Sequence, residues 1–62
     1  MELPELEISE KEQFEAIKQA AESGNINAML KLSEFYENGI GTTVNREMAD
    51  YWRNKGTILQ NK

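Results

Sequence analysis

Three segments of this chain carry apolar residues at α-helical spacing, and glycine-containing breaks separate them. The breaks are Gly24-Asn25 and the loop 39–44, which contains two glycines. Glycine adopts a left-handed turn at little steric cost, so it commonly ends helices. We therefore predict an all-α fold with helices near residues 10–23, 27–38 and 45–56 and with little or no sheet. The short links between the helices favour antiparallel neighbours.

Each predicted helix begins at a polar cap and has one apolar face. Ser9 and Glu12 have the spacing of a capping box, in which each side chain satisfies a free backbone amide of the first turn. Asn27 and Asn45 are the predicted caps of the second and third helices. In chain order, the apolar faces consist of Phe14, Ile17 and Ala21, with Ala20 flanking them, then Ala28, Leu32, Phe35 and Tyr36, then Met48, Ala49 and Trp52.

The end of the third segment is less clearly marked. Gly56 is predicted to end this helix. The tail 57–62 is either a frayed turn or the start of another helix. Tyr51 lies beside the apolar face without belonging to it, which predicts partial exposure of its ring.

The chain is short and has no chemical cross-link. Its 62 residues allow one domain, which we place at residues 9–62. A domain of this size buries only about 60% of the surface of its unfolded chain. The chain contains no cysteine and no histidine, which excludes disulfides, thiolate or imidazole metal sites, and catalytic triads built on those residues. Stability must then come from helix packing or from a partner.

Charge is unevenly distributed along the chain. The net charge is −4, and six glutamates fall in the first fifteen residues, whereas the last seventeen are mildly basic. An acidic end repels phosphates, so we expect no nucleic-acid partner. No apolar run is long enough for a membrane span, and the acidic start differs from a secretory signal. With no cysteine present, we expect a cytoplasmic protein without a membrane partner.

Residues 1–8 are predicted to form an acidic arm. Pro4 disfavours helix there, and the apolar residues of the arm are Leu3, Leu6 and Ile8. One interpretation is a disordered, solvating tail. The other is a short recognition strand or motif in which these three residues are the anchors and dock on the body of the domain.

The stretch from Ala28 to Lys55 resembles a Sel1-like repeat, a relative of the tetratricopeptide repeat. The family's pattern is a small residue, leucine, tyrosine, Gly-x-Gly, a polar cap, alanine and tryptophan. In this chain it is matched without insertion by Ala28, Leu32, Tyr36, Gly39, Gly41, Asn45, Ala49 and Trp52.

The resemblance implies a fragment of an α-α superhelix, formed by one repeat and a preceding helix. It also implies close helix approach at the alanines. We predict a positive φ at Gly39, because this glycine closes the second helix. The sequence departs from the family at Ala16, where a tryptophan is expected, and at Ser33 and Thr42. A further departure, at 56–57, replaces paired alanines and suggests that the array stops there.

The carboxylates offer little support for catalysis. Glu34 and Glu37 are three residues apart, as are Glu47 and Asp50, and such pairs can divide acid and base roles where burial separates their pKa values. All four fall on polar helix faces, so we interpret them as solvated. Ser9 is interpreted as a helix cap and not as a nucleophile. We therefore expect no enzyme activity, no cofactor and no small-molecule substrate.

The resemblance implies a protein–protein interaction module, of the adaptor or scaffold kind. Its partner would be another protein or a second copy of the chain. In such repeats the first helix of each pair lines the binding surface, which here gives the polar residues Asn27, Lys31, Glu34 and Asn38. A second predicted surface, on the third helix and its tail, consists of Tyr51, Lys55, Ile58 and Leu59.

The alternative function is a small inhibitor or immunity protein, of the kind that phages and plasmids encode. A small acidic protein without catalytic groups can act by occluding a target enzyme or a defence complex. Its acidic arm could imitate nucleic acid on a basic target.

Overall fold

The computed structural model describes residues 9–61, and within this range the chain forms three α-helices and no strand. The helices are α1 (Glu10–Glu22), α2 (Ile26–Asn38) and α3 (Arg46–Gln60). The predicted all-α fold is confirmed. The predicted arm and its anchors Leu3, Leu6 and Ile8 lie outside the described residues.

Side-chain caps fix where the three helices begin. Ser9 Oγ accepts a hydrogen bond from the Glu12 amide, and Glu12 Oε1 accepts one from the Ser9 amide, each at 3.2 Å. This confirms the capping box. Asn45 Oδ1 accepts from the backbone amide three residues on, at 3.0 Å, as predicted. The prediction for α2 is wrong, because its cap is Asn25, and Asn27 lies inside the helix.

The two asparagines at the start of α2 allow a matched test. Asn25→Ala should lower the free energy of unfolding by about 1 kcal/mol, because the amide that it caps loses its acceptor. Asn27→Ala should be neutral or slightly stabilising, because alanine has the higher helix propensity. Urea unfolding followed by circular dichroism measures both. Equal losses in the two variants would contradict the assignment of the cap to Asn25.

Helix α2 is the centre of the domain. Both α1 and α3 contact it, but no Cα atom of α1 lies within 8 Å of one in α3. The rings of Phe14 and Tyr36 meet edge to face with their centroids 5.3 Å apart, so the start of α1 lies beside the end of α2. The buried apolar residues form one cluster, which consists of Phe14, Ala21, Ala28, Met29, Leu32, Phe35, Tyr36, Ala49 and Trp52.

The loop after α2 turns through two left-handed glycines. Gly39 and Gly41 both have φ of 69°, which confirms the positive φ predicted at Gly39. Gly41 also lies directly against the first turn of α1. A Cβ atom at this position would overlap the carbonyl oxygen of Glu10 and would lie 2.8 Å from the Cβ of Phe14. The loop therefore joins all three helices at one end of the domain.

Gly56 does not end α3, which continues through it to Gln60. The tail residues 57–60 therefore belong to this helix. Gly56 is buried at the crossing with α2, where a Cβ atom would lie 2.9 Å from Cδ2 of Leu30. A glycine inside a helix costs about 1 kcal/mol of helix propensity. Close packing against α2 offsets that cost, so the helix continues.

Candidate functional site

The outward face of α3 carries large apolar side chains in solvent. Tyr51, Lys55 and Ile58 are four and three residues apart, so they lie on one face of the helix, which we call the α3 stripe. Tyr51 is 51% exposed and Ile58 is 65% exposed. Leu59, also predicted to lie on this surface, is partly buried and packs against the core. The α3 stripe therefore consists of three of the four predicted residues.

Aromatic contacts hold the middle of the α3 stripe in place. The Lys55 ammonium lies 5.7 Å from the ring centroid of Tyr51 and 5.6 Å from that of Trp52. The two rings meet edge to face at 5.1 Å. Both distances from the ammonium to a ring centroid fall within the ~6 Å range of a cation–π interaction. Tyr51 is therefore held against a buried neighbour, Trp52.

The polar residues predicted on α2 are four, three and four residues apart, so they share one face of the helix. Asn27, Lys31, Glu34 and Asn38 are all exposed. Asn27 and Lys31 line a groove between α1 and α2. Glu34 and Asn38 do not line it. The four residues are therefore exposed together on α2, and two of them also line the groove.

This α1–α2 groove consists of two adjoining depressions of ≈ 270 Å³ and ≈ 250 Å³ that share Ile17 and Lys31. The first is lined by Gln13, Ala16, Ile17, Lys31 and Phe35. The second is lined by Ile17, Ala20, Asn25, Asn27, Ala28 and Lys31.

Sequence reasoning did not identify the α1–α2 groove. Its available signal was Ala16, a small residue at the position where the resembled family has tryptophan. The structure exposes Ala16 at the edge of the groove. A larger side chain at this edge would fill part of the depression.

Charge within the α1–α2 groove comes from Lys31. The ion pairs of residues 9–61 belong to Arg53, which bonds Glu37 at 2.9 Å and Asp50 at 3.5 Å. The Lys31 ammonium has no hydrogen-bond or ion-pair partner in that range. The groove therefore combines apolar walls with one cation that lacks a counter-charge.

The described residues also bear on metal binding, on the exposure of the carboxylates and on membrane spanning. Residues 9–61 contain no group of three or more metal-ligating side chains that could hold an ion. Glu34, Glu37, Glu47 and Asp50 are exposed, as their polar faces predict. Over the same range, none of the helices combines the length and the apolar character needed to cross a bilayer.

No family model, curated protein or solved structure matches this chain. Its all-α fold is shown by its own three helices, and the α3 stripe and the α1–α2 groove are its candidate functional surfaces.

Proposed function

We propose that this chain is a non-enzymatic protein–protein interaction module of the Sel1-like kind, which acts in the cytoplasm as an adaptor. The observation that carries the proposal is the exposure of Tyr51 and Ile58 on one face of α3. Tyrosine is enriched among the residues that dominate protein interfaces. A ring that is already held in place loses less side-chain entropy on binding. The α3 stripe is the proposed contact surface.

The assignment to the Sel1-like family is supported by where the pattern residues lie. Its five apolar positions, from Ala28 to Trp52, all belong to the buried cluster. Both pattern glycines have positive φ, and Asn45 caps the helix that follows them. Both α1 and α3 contact α2, and no Cα atom of α1 lies within 8 Å of one in α3, so the arrangement is open, as in a superhelical array.

The charge on the α3 stripe favours a foreign partner over a second copy. A symmetric dimer uses the same patch on both subunits. If two α3 stripes met with Tyr51 near Ile58 of the other copy, the two Lys55 ammonium groups would meet near the centre. Two ammonium groups that are brought together in this way repel each other. A foreign protein with a carboxylate between two apolar contacts avoids this repulsion.

The interface that the stripe supports is small. A standard protein–protein interface buries about 800 Å² on each partner and involves about 20–30 residues. Two exposed apolar side chains and a lysine supply only part of this area. We therefore expect a transient complex in which Tyr51 and Ile58 are the anchors.

Affinity capture with the full chain tests this function. Tyr51→Glu/Ile58→Glu should abolish capture of the partners that the wild type retains, because two carboxylates replace the apolar anchors. Val44→Glu is the matched control, since Val44 is 53% exposed and lies outside the stripe. This control should capture the same proteins as the wild type. Equal capture by all three chains would rule out the stripe.

The same affinity capture distinguishes the adaptor from the alternative function, a small inhibitor. A single enzyme or defence complex, bound in stoichiometric amount and inactivated, would indicate the inhibitor and not the adaptor.

Light scattering at submillimolar concentration tests whether the chain binds a second copy of itself. We expect the wild type to be a monomer. A wild-type dimer that Tyr51→Glu/Ile58→Glu dissociates would show that the stripe binds another copy of the chain.

A further inference from the structure

The two depressions of the α1–α2 groove lie one helical turn apart. On α2, Lys31 and Phe35 line the first, and Asn27 and Lys31 line the second. Four residues along a helix correspond to a rise of about 6 Å. Ile17 of α1 lines both depressions, as Lys31 does. An occupant that fills both depressions therefore places two side chains about one turn apart, with Lys31 beside the space between them.

The groove also has a definite chemistry. Ala16, Ala20 and Ala28 line it with small side chains, which leaves room for an occupant between the helices. Its cation, the Lys31 ammonium, has no hydrogen-bond or ion-pair partner among residues 9–61. Charge complementarity therefore favours an occupant that carries a carboxylate next to its two apolar side chains.

The walls of the groove favour a helical occupant over an extended one. Both walls are α-helices, so the groove has no strand edge. An extended peptide would remove its backbone N–H and C=O groups from water without a strand to pair with. A helix satisfies its own backbone groups. Its side chains at positions i and i+4 have Cβ atoms about 5–6 Å apart, which matches the separation of the two depressions.

The described helices of a second copy do not supply such an occupant. The exposed large hydrophobic residues of 9–61 are Val44, Tyr51 and Ile58, and Val44 lies in a loop. Tyr51 and Ile58 are seven residues apart, about 10 Å along α3, which is too far for depressions one turn apart. Lys55 lies between them and would approach Lys31, and the two ammonium groups would repel each other.

We propose that the α1–α2 groove binds an amphipathic α-helix of a foreign protein. That helix carries apolar side chains at positions i and i+4 and a carboxylate at i+1 or i+3, on the flank of the same face. The apolar side chains fill the two depressions against Ile17 and Phe35, and the carboxylate pairs with Lys31. Binding in the groove does not rest on the adaptor function, which uses the α3 stripe.

A designed peptide tests this binding with the full chain. The probe is a capped, alanine-rich helical peptide of about 16 residues with leucine at i and i+4. Glutamate at both i+1 and i+3 offers a carboxylate on either flank. Amide chemical shifts of the isotope-labelled chain are followed by NMR as the peptide is added to millimolar concentration. We expect shifts at Ile17, Lys31 and Phe35, and none at Tyr51 or Ile58.

Charge exchange tests the pairing with Lys31. Lys31→Glu should weaken binding of the glutamate peptide by roughly 2–5-fold, the range of an exposed ion pair. A peptide with lysine at i+1 and i+3 should show the reverse preference and bind Lys31→Glu better than the wild type. Lys55→Glu is the matched control, because it changes an exposed lysine outside the groove and should bind the glutamate peptide as the wild type does.

A proline at i+2 tests the helical conformation. This position faces away from the groove, so the substitution changes the conformation of the peptide and leaves its leucines and glutamates in place. We expect the proline peptide to cause no shifts at the groove amides.

Four outcomes would overturn the proposal. They are unchanged groove amides in a chain with the native spectrum, shifts confined to the α3 stripe, equal binding by the proline peptide, and a charge preference that Lys31→Glu does not alter. The variant Tyr51→Glu/Ile58→Glu should bind the glutamate peptide as the wild type does. Failure in the groove is therefore distinguishable from failure of the adaptor function, which the capture experiment tests at the stripe.

Discussion

Replacing Gly41 with alanine should unfold much of the domain, with a loss of about 2–5 kcal/mol in the free energy of unfolding. Two effects add at this residue. Its φ of 69° is unfavourable for any residue with a Cβ atom. The added Cβ would also overlap the carbonyl oxygen of Glu10, which belongs to the backbone and cannot rotate away. The first turn of α1 must then separate from the loop.

Two other glycines separate these effects. Gly24 has φ of 101° and no atom within 4 Å of an added Cβ, so Gly24→Ala measures the cost of the backbone conformation alone, about 1–2 kcal/mol. At Gly39, the nearest atom to an added Cβ is Val44 Cγ2 at 2.9 Å. That methyl group belongs to an exposed side chain and can move. We expect the loss to increase from Gly24 to Gly39 to Gly41.

Urea unfolding followed by circular dichroism measures this series. A domain of 62 residues has a total stability of about 3–9 kcal/mol, so Gly41→Ala should leave a substantial unfolded fraction without denaturant. Equal losses in the Gly24 and Gly41 variants would show that the loop does not press on α1. The contact between Gly41 and the first turn of α1 would then be wrong.

Trp52→Ala should cost about 3–5 kcal/mol, because the indole is buried in the cluster that joins α2 and α3. The same substitution removes the ring beside Lys55 on the α3 stripe. A melting temperature equal to that of the wild type would mean that the ring does not contribute to the core.

Trp52→Phe should cost much less. Among the described residues, the Trp52 Nε1 hydrogen is buried without an acceptor. A buried unsatisfied donor costs about 1–3 kcal/mol, and phenylalanine removes this donor while keeping an aromatic ring. That gain offsets part of the lost volume. The difference in melting temperature between the two variants measures the effect. A Phe variant as unstable as the Ala variant would indicate that the indole N–H is satisfied.

Much of the local structure follows from sequence, because its causes lie within a few residues. The capping box at Ser9 and the cap at Asn45 depend on side chains that reach an amide three residues away. Gly39 ends α2 because no other residue adopts its φ so readily. The apolar spacing of the three segments likewise determined which faces became the core. These signals account for the all-α fold and for the start or end of most helices.

Tertiary contacts decided the features for which local signals were ambiguous or misleading. Gly56 has the local properties of a helix end, but its contact with Leu30 of α2 keeps it inside α3. Leu59 falls beside the exposed stripe in the sequence pattern, yet packing against the core partly buries it. The groove depends on residues of α1 and α2 that are far apart along the chain, so no local pattern marks it. Sequence determined the number of helices and most of their apolar faces, whereas contacts between helices determined where α3 ends and which surfaces remained open.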